Sequence, residues 1–142
     1  MLLLVAGRVA ESLRQRDPIW PMSPSNRATG TEARLNVLFV CSRNQWRSPT
    51  GEQVWRGHPQ VHARSAGTNA GARRVVSAAD LAWADVVLVM EDKHKSRLMA
   101  EHRGLLVDKT LHVLDIPDDY NYMDPELIEL LSEPVAELLG LR

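Results

Sequence analysis

A three-layer α/β/α domain with a four-stranded parallel sheet is the fold this sequence predicts, and three observations carry it. Fully apolar runs such as Val86–Met90 suit strands buried on both faces of a parallel sheet. These runs alternate with stretches of helical character, the pattern of repeated strand–helix units. The length of 142 residues, with 44% hydrophobic and 25% charged content, fits one domain with a sizeable core.

Residues 1–34 differ from the rest of the chain. Met1–Ala6 is apolar but short and lacks a basic stretch, so it makes a poor signal peptide. Pro18, Pro21, Pro24 and the stretch Ser23–Thr31 read as a flexible linker. Three readings of this N-terminal extension stay open: a disordered segment, a docking helix over Val5–Arg14, or an upstream start with Met22 as the alternative. Residues 35–142 are expected to form the domain.

Within it, Asn36–Val40 reads as the first strand. A helix follows over Ser48–Arg56, in which Gly51 costs roughly 1 kcal/mol against alanine. A second strand is expected near Val61–Arg64, a short helix over Ala78–Ala84, and a third strand over Val86–Met90. The helix Lys93–His102 and a fourth strand near Thr110–Leu114 complete the alternation. The last helix opens at Asp124-Pro125-Glu126, where aspartate caps, proline fits the first turn and glutamate suits the helix dipole. Its apolar face comprises Leu127, Ile128, Leu130, Leu131, Val135, Leu138 and Leu139, and Pro134 is expected to kink or break it.

The chemistry concentrates where the first strand ends. Val37–Val40 runs into Cys41, the single cysteine of the chain, and a C-x5-R spacing leads to Arg47, Ser48 and Pro49. A lone cysteine at a strand end is commonly just a small core residue. Strand before, Ser-Pro and helix after, argue instead for a thiol nucleophile in an anion-binding loop. A free thiol titrates near ~8.5, so the reactive thiolate needs help. Backbone N–H groups of Ser42, Arg43, Asn44, Gln45, Trp46 and Arg47 could turn inward as an anion-binding concavity. A helix N-terminus and the Ser48 hydroxyl would add to it. The planar fork of Arg47 matches two oxygens of a phosphoryl group. This layout points to attack on a phosphate ester through a phosphocysteine intermediate.

The chain resembles the low-molecular-weight protein tyrosine phosphatase family over roughly Leu35 to Leu131. Four segments carry the resemblance in the family's order. They are Cys41 to Pro49 with Asn44 inside it, Ser65-Ala66-Gly67-Thr68, Ala84 to Glu91, and Asp115-Ile116-Pro117-Asp118-Asp119-Tyr120. The resemblance implies that an aspartate of the last segment protonates the leaving oxygen, help typically worth ~10²–10⁴-fold. Alignment favours Asp118, with Asp115 and Asp119 as rivals. It also implies that Asn44 takes an unusual backbone conformation supported by Ser48 and Ser65. Trp46 and Tyr120 are the expected rim for a substrate ring, with Tyr122 a further aromatic candidate.

Departures from the family pattern matter too. Arg43 stands where glycine is common, and either strains the loop or points outward as added positive charge. Ser42 and Gln45 replace apolar residues of the ring slot. Trp46 replaces a second cysteine, which removes a disulfide switch. The stretch between Gly67 and Ala84 is short, implying a smaller rim.

The expected activity is therefore hydrolysis of aryl phosphate monoesters, phosphotyrosine on a protein above all, with no metal or cofactor. Arsenate reduction with an external thiol and a phosphate- or partner-binding module are the alternatives. The expected partner is a phosphorylated protein or a small aryl phosphate. A net charge of −1 argues against bulk binding to nucleic acid or membrane. No apolar run approaches the ~20 residues of a membrane span, and one cysteine points to a reducing compartment, taken as the cytoplasm.

Overall fold

The structure, a computed structural model, describes residues 34–141. The expectations for the N-terminal extension, Arg34 apart, lie outside the described residues. Four parallel strands form one sheet: β1 (Leu35–Cys41), β2 (Val61–Gly67), β3 (Val86–Val89) and β4 (Thr110–Val113), in the order β2-β1-β3-β4. Among the described residues, five helices connect and extend them: α1 (Arg47–Trp55), α2 (Ala78–Trp83), α3 (Asp92–Leu106), α4 (Pro125–Leu131) and α5 (Glu133–Leu139).

Strand periodicity sorts the helices into layers. Val37, Phe39 and Cys41 of β1 face one side, with Val54 and Trp55 of α1, Leu127 and Leu131 of α4, and Val135 of α5. Leu38 and Val40 face the other, with Leu81 of α2 and Leu98 and Leu106 of α3. Side chains such as Leu127 and Leu131 are fully buried, each worth roughly 1.5–3 kcal/mol. The expected three-layer α/β/α class with a four-stranded parallel sheet is the one observed. Among the described residues, no helix is long and apolar enough to cross a membrane.

Two boundaries carry physical information. The expected third helix ends at His102, and there the backbone leaves helical geometry (φ −138°, ψ 33°) before a last turn runs on to Leu106. Around Pro134 the final helix does break. Ser132 has φ −96° and ψ −90°, and the proline falls in the first turn of α5, where its missing N–H is not needed.

Gly51 has a stronger reason than its helix penalty suggests. A Cβ there would stand 2.6 Å from the Phe39 ring. The glycine therefore lets α1 lie close against β1, which fixes the helix start relative to the strand end that carries Cys41.

The sheet order also places the site. β2 and β3 lie on opposite sides of β1, so the chain reverses its winding direction there. The crevice beyond the carboxyl ends of β1 and β3 is the topological switch point, where open α/β sheets bind ligands.

Candidate active site

Cys41 ends β1, buried, with its Sγ 3.0 Å from Ser48 Oγ in the first turn of α1. Asn44 Nδ2 donates to the same hydroxyl at 2.9 Å. Ser48 has one proton to give, and its other acceptor, Ala66 O, is more distant at 3.3 Å. Once the thiol has lost its proton, the sulfur can only accept, and the hydroxyl that Asn44 anchors has it as the nearer acceptor, a relay that stabilises a thiolate.

Asn44 has φ 53°, in the left-handed region that asparagine tolerates better than most residues. The family resemblance implied such a conformation. Of its two implied partners, Ser48 is in place. Ser65 is not: its hydroxyl donates to Glu52 Oε1 at 2.5 Å. Ser65 thus ties β2 to α1 rather than holding Asn44 directly. Arg43 is absent from the positive-φ residues and its side chain is exposed, so it adds outward charge instead of straining the loop.

The shape of the loop is imposed from outside it. Thr68 N–H donates to Cys41 O and Asn69 N–H to Ser42 O, both at 2.9 Å, and Arg73 N–H donates to Arg43 O at 3.0 Å. Arg73 Nε adds a bond to Asn44 O at 3.0 Å. Four consecutive carbonyls are therefore drawn toward the segment after β2. In trans peptides the N–H points opposite to the C=O. The N–H groups of Ser42, Arg43, Asn44 and Gln45 thus face away from that segment, as an anion-binding concavity needs. Gly67 allows the close approach: a Cβ on it would stand 2.6 Å from Ser42 O and 2.9 Å from Asn44 N.

Arg47 is 2% exposed yet charged, and its surroundings explain how. Its Nη1 donates to Glu91 Oε1 and to Ile116 O, each at 2.8 Å. The Arg47 hydrogen bond in turn holds the Glu91 carboxyl below its ordinary pKa. Arg47 Nε lies 3.6 Å from Asp118 Oδ1. Glu91 lies just past the end of β3 and Ile116 beyond β4, so three strand ends meet on one guanidinium.

A small pocket opens at this junction, about 30 Å³, lined by Cys41, Ser42, Arg43, Gln45, Trp46, Arg47 and Asp118. Of the three candidate aspartates, Asp118 alone lines it. Asp115 has φ 58° and borders a separate cavity with Leu130 and Leu138. Asp118 is 58% exposed, open to solvent and to an incoming substrate.

Trp46 is 38% exposed and lines both this pocket and an adjoining groove of about 480 Å³. Tyr120 departs from the expected rim. It packs against the core cluster, and its hydroxyl donates to Glu126 at 3.3 Å. Tyr122 is the tyrosine that lines the groove.

Three contributors are not expected from the sequence. Glu91 shows there only as the end of an apolar motif. His94 and Arg73 carry no signal beyond their type, although Glu91-x-x-His94 has the spacing of a helix N-terminal box. Glu91 N–H donates to His94 Nδ1 at 3.0 Å, and His94 Nε2 lies 2.8 Å from Ser42 Oγ.

This is the fold of the low-molecular-weight protein tyrosine phosphatases. Similar solved structures include the low-molecular-weight protein tyrosine phosphatase from T. tengcongensis, with TM-score 0.63 and 22% identity over 75% of this chain and 98% of that one. The YwlE arginine phosphatase from Geobacillus stearothermophilus gives TM-score 0.60 and 23% identity over 75% and 93%. Wzb from Vibrio vulnificus, solved with benzylphosphonate, gives TM-score 0.57 and 24% identity over 76% and 99%. No family model and no curated protein matches the chain.

Proposed function

We propose that this chain is a cysteine-dependent phosphatase for aryl phosphate monoesters, phosphotyrosine on a protein above all. The observation that carries the reading is the meeting of Cys41, Arg47 and Asp118 around one pocket, with Ser48 Oγ 3.0 Å from the sulfur. The Cys41 thiolate attacks phosphorus while the bond from phosphorus to the leaving oxygen breaks. Asp118 gives its proton to that oxygen. The loop N–H groups and the outer edge of Arg47 hold the equatorial oxygens, so catalysis rests on positioning and electrostatics. Asp118, now a carboxylate, takes a proton from water, whose oxygen attacks phosphorus. The phosphorus–sulfur bond breaks, inorganic phosphate leaves and the thiolate returns. No step in this scheme calls for a metal or cofactor.

The polar side chains of Ser42 and Gln45 in the pocket wall favour a second substrate, the phosphoguanidinium of phosphoarginine, the class named for the YwlE structure. The same Cys41 attack serves both, with nitrogen replacing oxygen as the leaving atom. Arsenate reduction within one chain lacks a second cysteine and needs an outside thiol.

Hydrolysis of p-nitrophenyl phosphate across pH, without added metal, tests the reading on wild type, Cys41→Ser and Asp118→Asn. Turnover that Cys41→Ser abolishes and Asp118→Asn strongly reduces is the expected result. Turnover by Cys41→Ser, or none by folded wild type, overturns it. Thiol-dependent arsenite production would then favour arsenate reduction, and tight oxyanion binding without turnover a binding module.

A further inference from the structure

We propose that His94 is a positioning residue that sets the Ser42 hydroxyl as a hydrogen-bond donor to an oxyanion bound above Cys41. The inference rests on the proposed oxyanion-binding role of the loop but not on turnover. His94 sits in the first turn of α3 and is 1% exposed. Its Nδ1 accepts the Glu91 N–H at 3.0 Å. A backbone N–H can only donate, so Nδ1 carries no proton and the neutral ring carries its hydrogen on Nε2. Burial, followed by the nearby Arg47 charge, brings the His94 pKa down to about 4, so the neutral ring prevails at neutral pH.

The tautomer decides the next bond. Nε2–H points at Ser42 Oγ, 2.8 Å away, and Ser42 must accept. A serine hydroxyl has one hydrogen of its own. Among the described residues no other partner takes it. Ser42 lines the pocket together with Cys41, Arg47 and Asp118. The hydrogen is thus left for a group that enters the pocket, and an oxyanion makes the strongest acceptor because O–H···O⁻ bonds are charge-assisted. The arrangement reaches across the switch-point crevice, from the β3–α3 junction to the loop after β1. It also accounts for a polar Ser42 where the resemblance leads one to expect an apolar residue.

The test is binding of inorganic phosphate by calorimetry, with p-nitrophenyl phosphate turnover and Tm measured beside it. Variants are Ser42→Ala, His94→Leu, His94→Gln and the double variant Ser42→Ala/His94→Leu. Ser42→Ala and His94→Leu should each raise the phosphate Kd by roughly 10-fold, the loss expected for one charge-assisted hydrogen bond. His94→Gln, whose amide N–H reaches a similar point, should recover most of that loss. In the Ser42→Ala background His94→Leu should lower Tm yet leave Kd unchanged, which a purely structural role for His94 would not do. Equal weakening of phosphate binding in both backgrounds overturns the proposal, as does wild-type affinity in Ser42→Ala.

If wild type binds phosphate but turns nothing over, the phosphatase reading fails and the Kd comparison still decides this one. Absence of phosphate binding by wild type overturns both. Should His94→Leu fail to fold, ¹⁵N-detected NMR of the wild-type ring decides instead. Protonation on Nε2, with that resonance moving on phosphate addition, is expected; protonation on Nδ1 refutes it.

Discussion

Replacing Gly67 with alanine tests whether the segment after β2 shapes the anion loop. The new Cβ would meet Ser42 O at 2.6 Å, Ala72 Cβ at 2.6 Å and Asn44 N at 2.9 Å. Carbon contacts settle near ~3.5 Å, so loop and strand end must part by roughly 0.5–1 Å. Two hydrogen bonds oppose that movement, Thr68 N–H to Cys41 O and Asn69 N–H to Ser42 O, both at 2.9 Å. Overpacking of this sort costs about 1–3 kcal/mol, a fall in Tm of roughly 3–10 °C for a chain of this size. A shift of about 1 Å at a reacting centre costs ~10²-fold in rate, so kcat on p-nitrophenyl phosphate should fall by about that factor. Gly104→Ala is the matched control. Nothing lies within 4 Å of a Cβ at that position, and helix propensity favours alanine by about 1 kcal/mol. It should raise Tm slightly and leave kcat alone. Thermal melts and steady-state rates read both variants together. Wild-type Tm and kcat in Gly67→Ala would show that the loop does not depend on this close approach.

The same geometry sets other outcomes. Gly51→Ala should destabilise by about 1–3 kcal/mol in urea titration, because the Cβ strikes the buried Phe39 ring at 2.6 Å; a gain in stability would mean that α1 moves freely off β1. Glu91→Gln removes the charge held 2.8 Å from Arg47, and leaves a buried cation less well compensated. A loss of about 1–3 kcal/mol in urea titration is expected, with a raised KM for p-nitrophenyl phosphate; unchanged stability and KM would count against that pairing. The pKa of His94 drops from 6.5 to about 4 on folding. Between those values the unfolded state binds more protons, so stability should fall as pH drops from 6.5 toward 4. His94→Gln should flatten that slope in urea midpoints measured across the window, and an equally steep slope in that variant would assign it elsewhere.

Strands β1 and β3 are legible because a parallel strand buried on both faces leaves an unbroken apolar run in the sequence. Cys41, Asn44, Arg47 and Ser48 are legible for a related reason: their spacing lies within one strand–loop–helix unit. The partners that hold them are remote. Glu91 reaches Arg47 across 44 positions, His94 reaches Ser42 across 52, and Arg73 reaches Asn44 across 29. No local pattern encodes such pairs. Gly51 shows another limit. Helix propensity reads it as a defect, whereas the packing of α1 against Phe39 requires a residue without a side chain. Resemblance assigns Ser65 to Asn44, but its acceptor is Glu52, one turn into α1. Tyr120 and Tyr122 cannot be told apart by type, and only the path of the chain after β4 decides which one meets the groove.

The clasp that draws the carbonyls of residues 41–43 outward uses main-chain donors of Thr68, Asn69 and Arg73. Main-chain donors are indifferent to what side chain they carry. At Asn69 only proline deletes the main-chain donor, although the side chain also accepts the Gly71 N–H at 2.8 Å, a turn that aspartate would keep. Inserting or removing one residue between 68 and 73 is a different matter, since every donor downstream would then meet the wrong carbonyl. This short stretch should hold its length constant and keep Arg73, whose side chain reaches Asn44 O, while an exposed position such as Ala70 is free to drift, which would redecorate the mouth of the pocket without disturbing the chemistry beneath it.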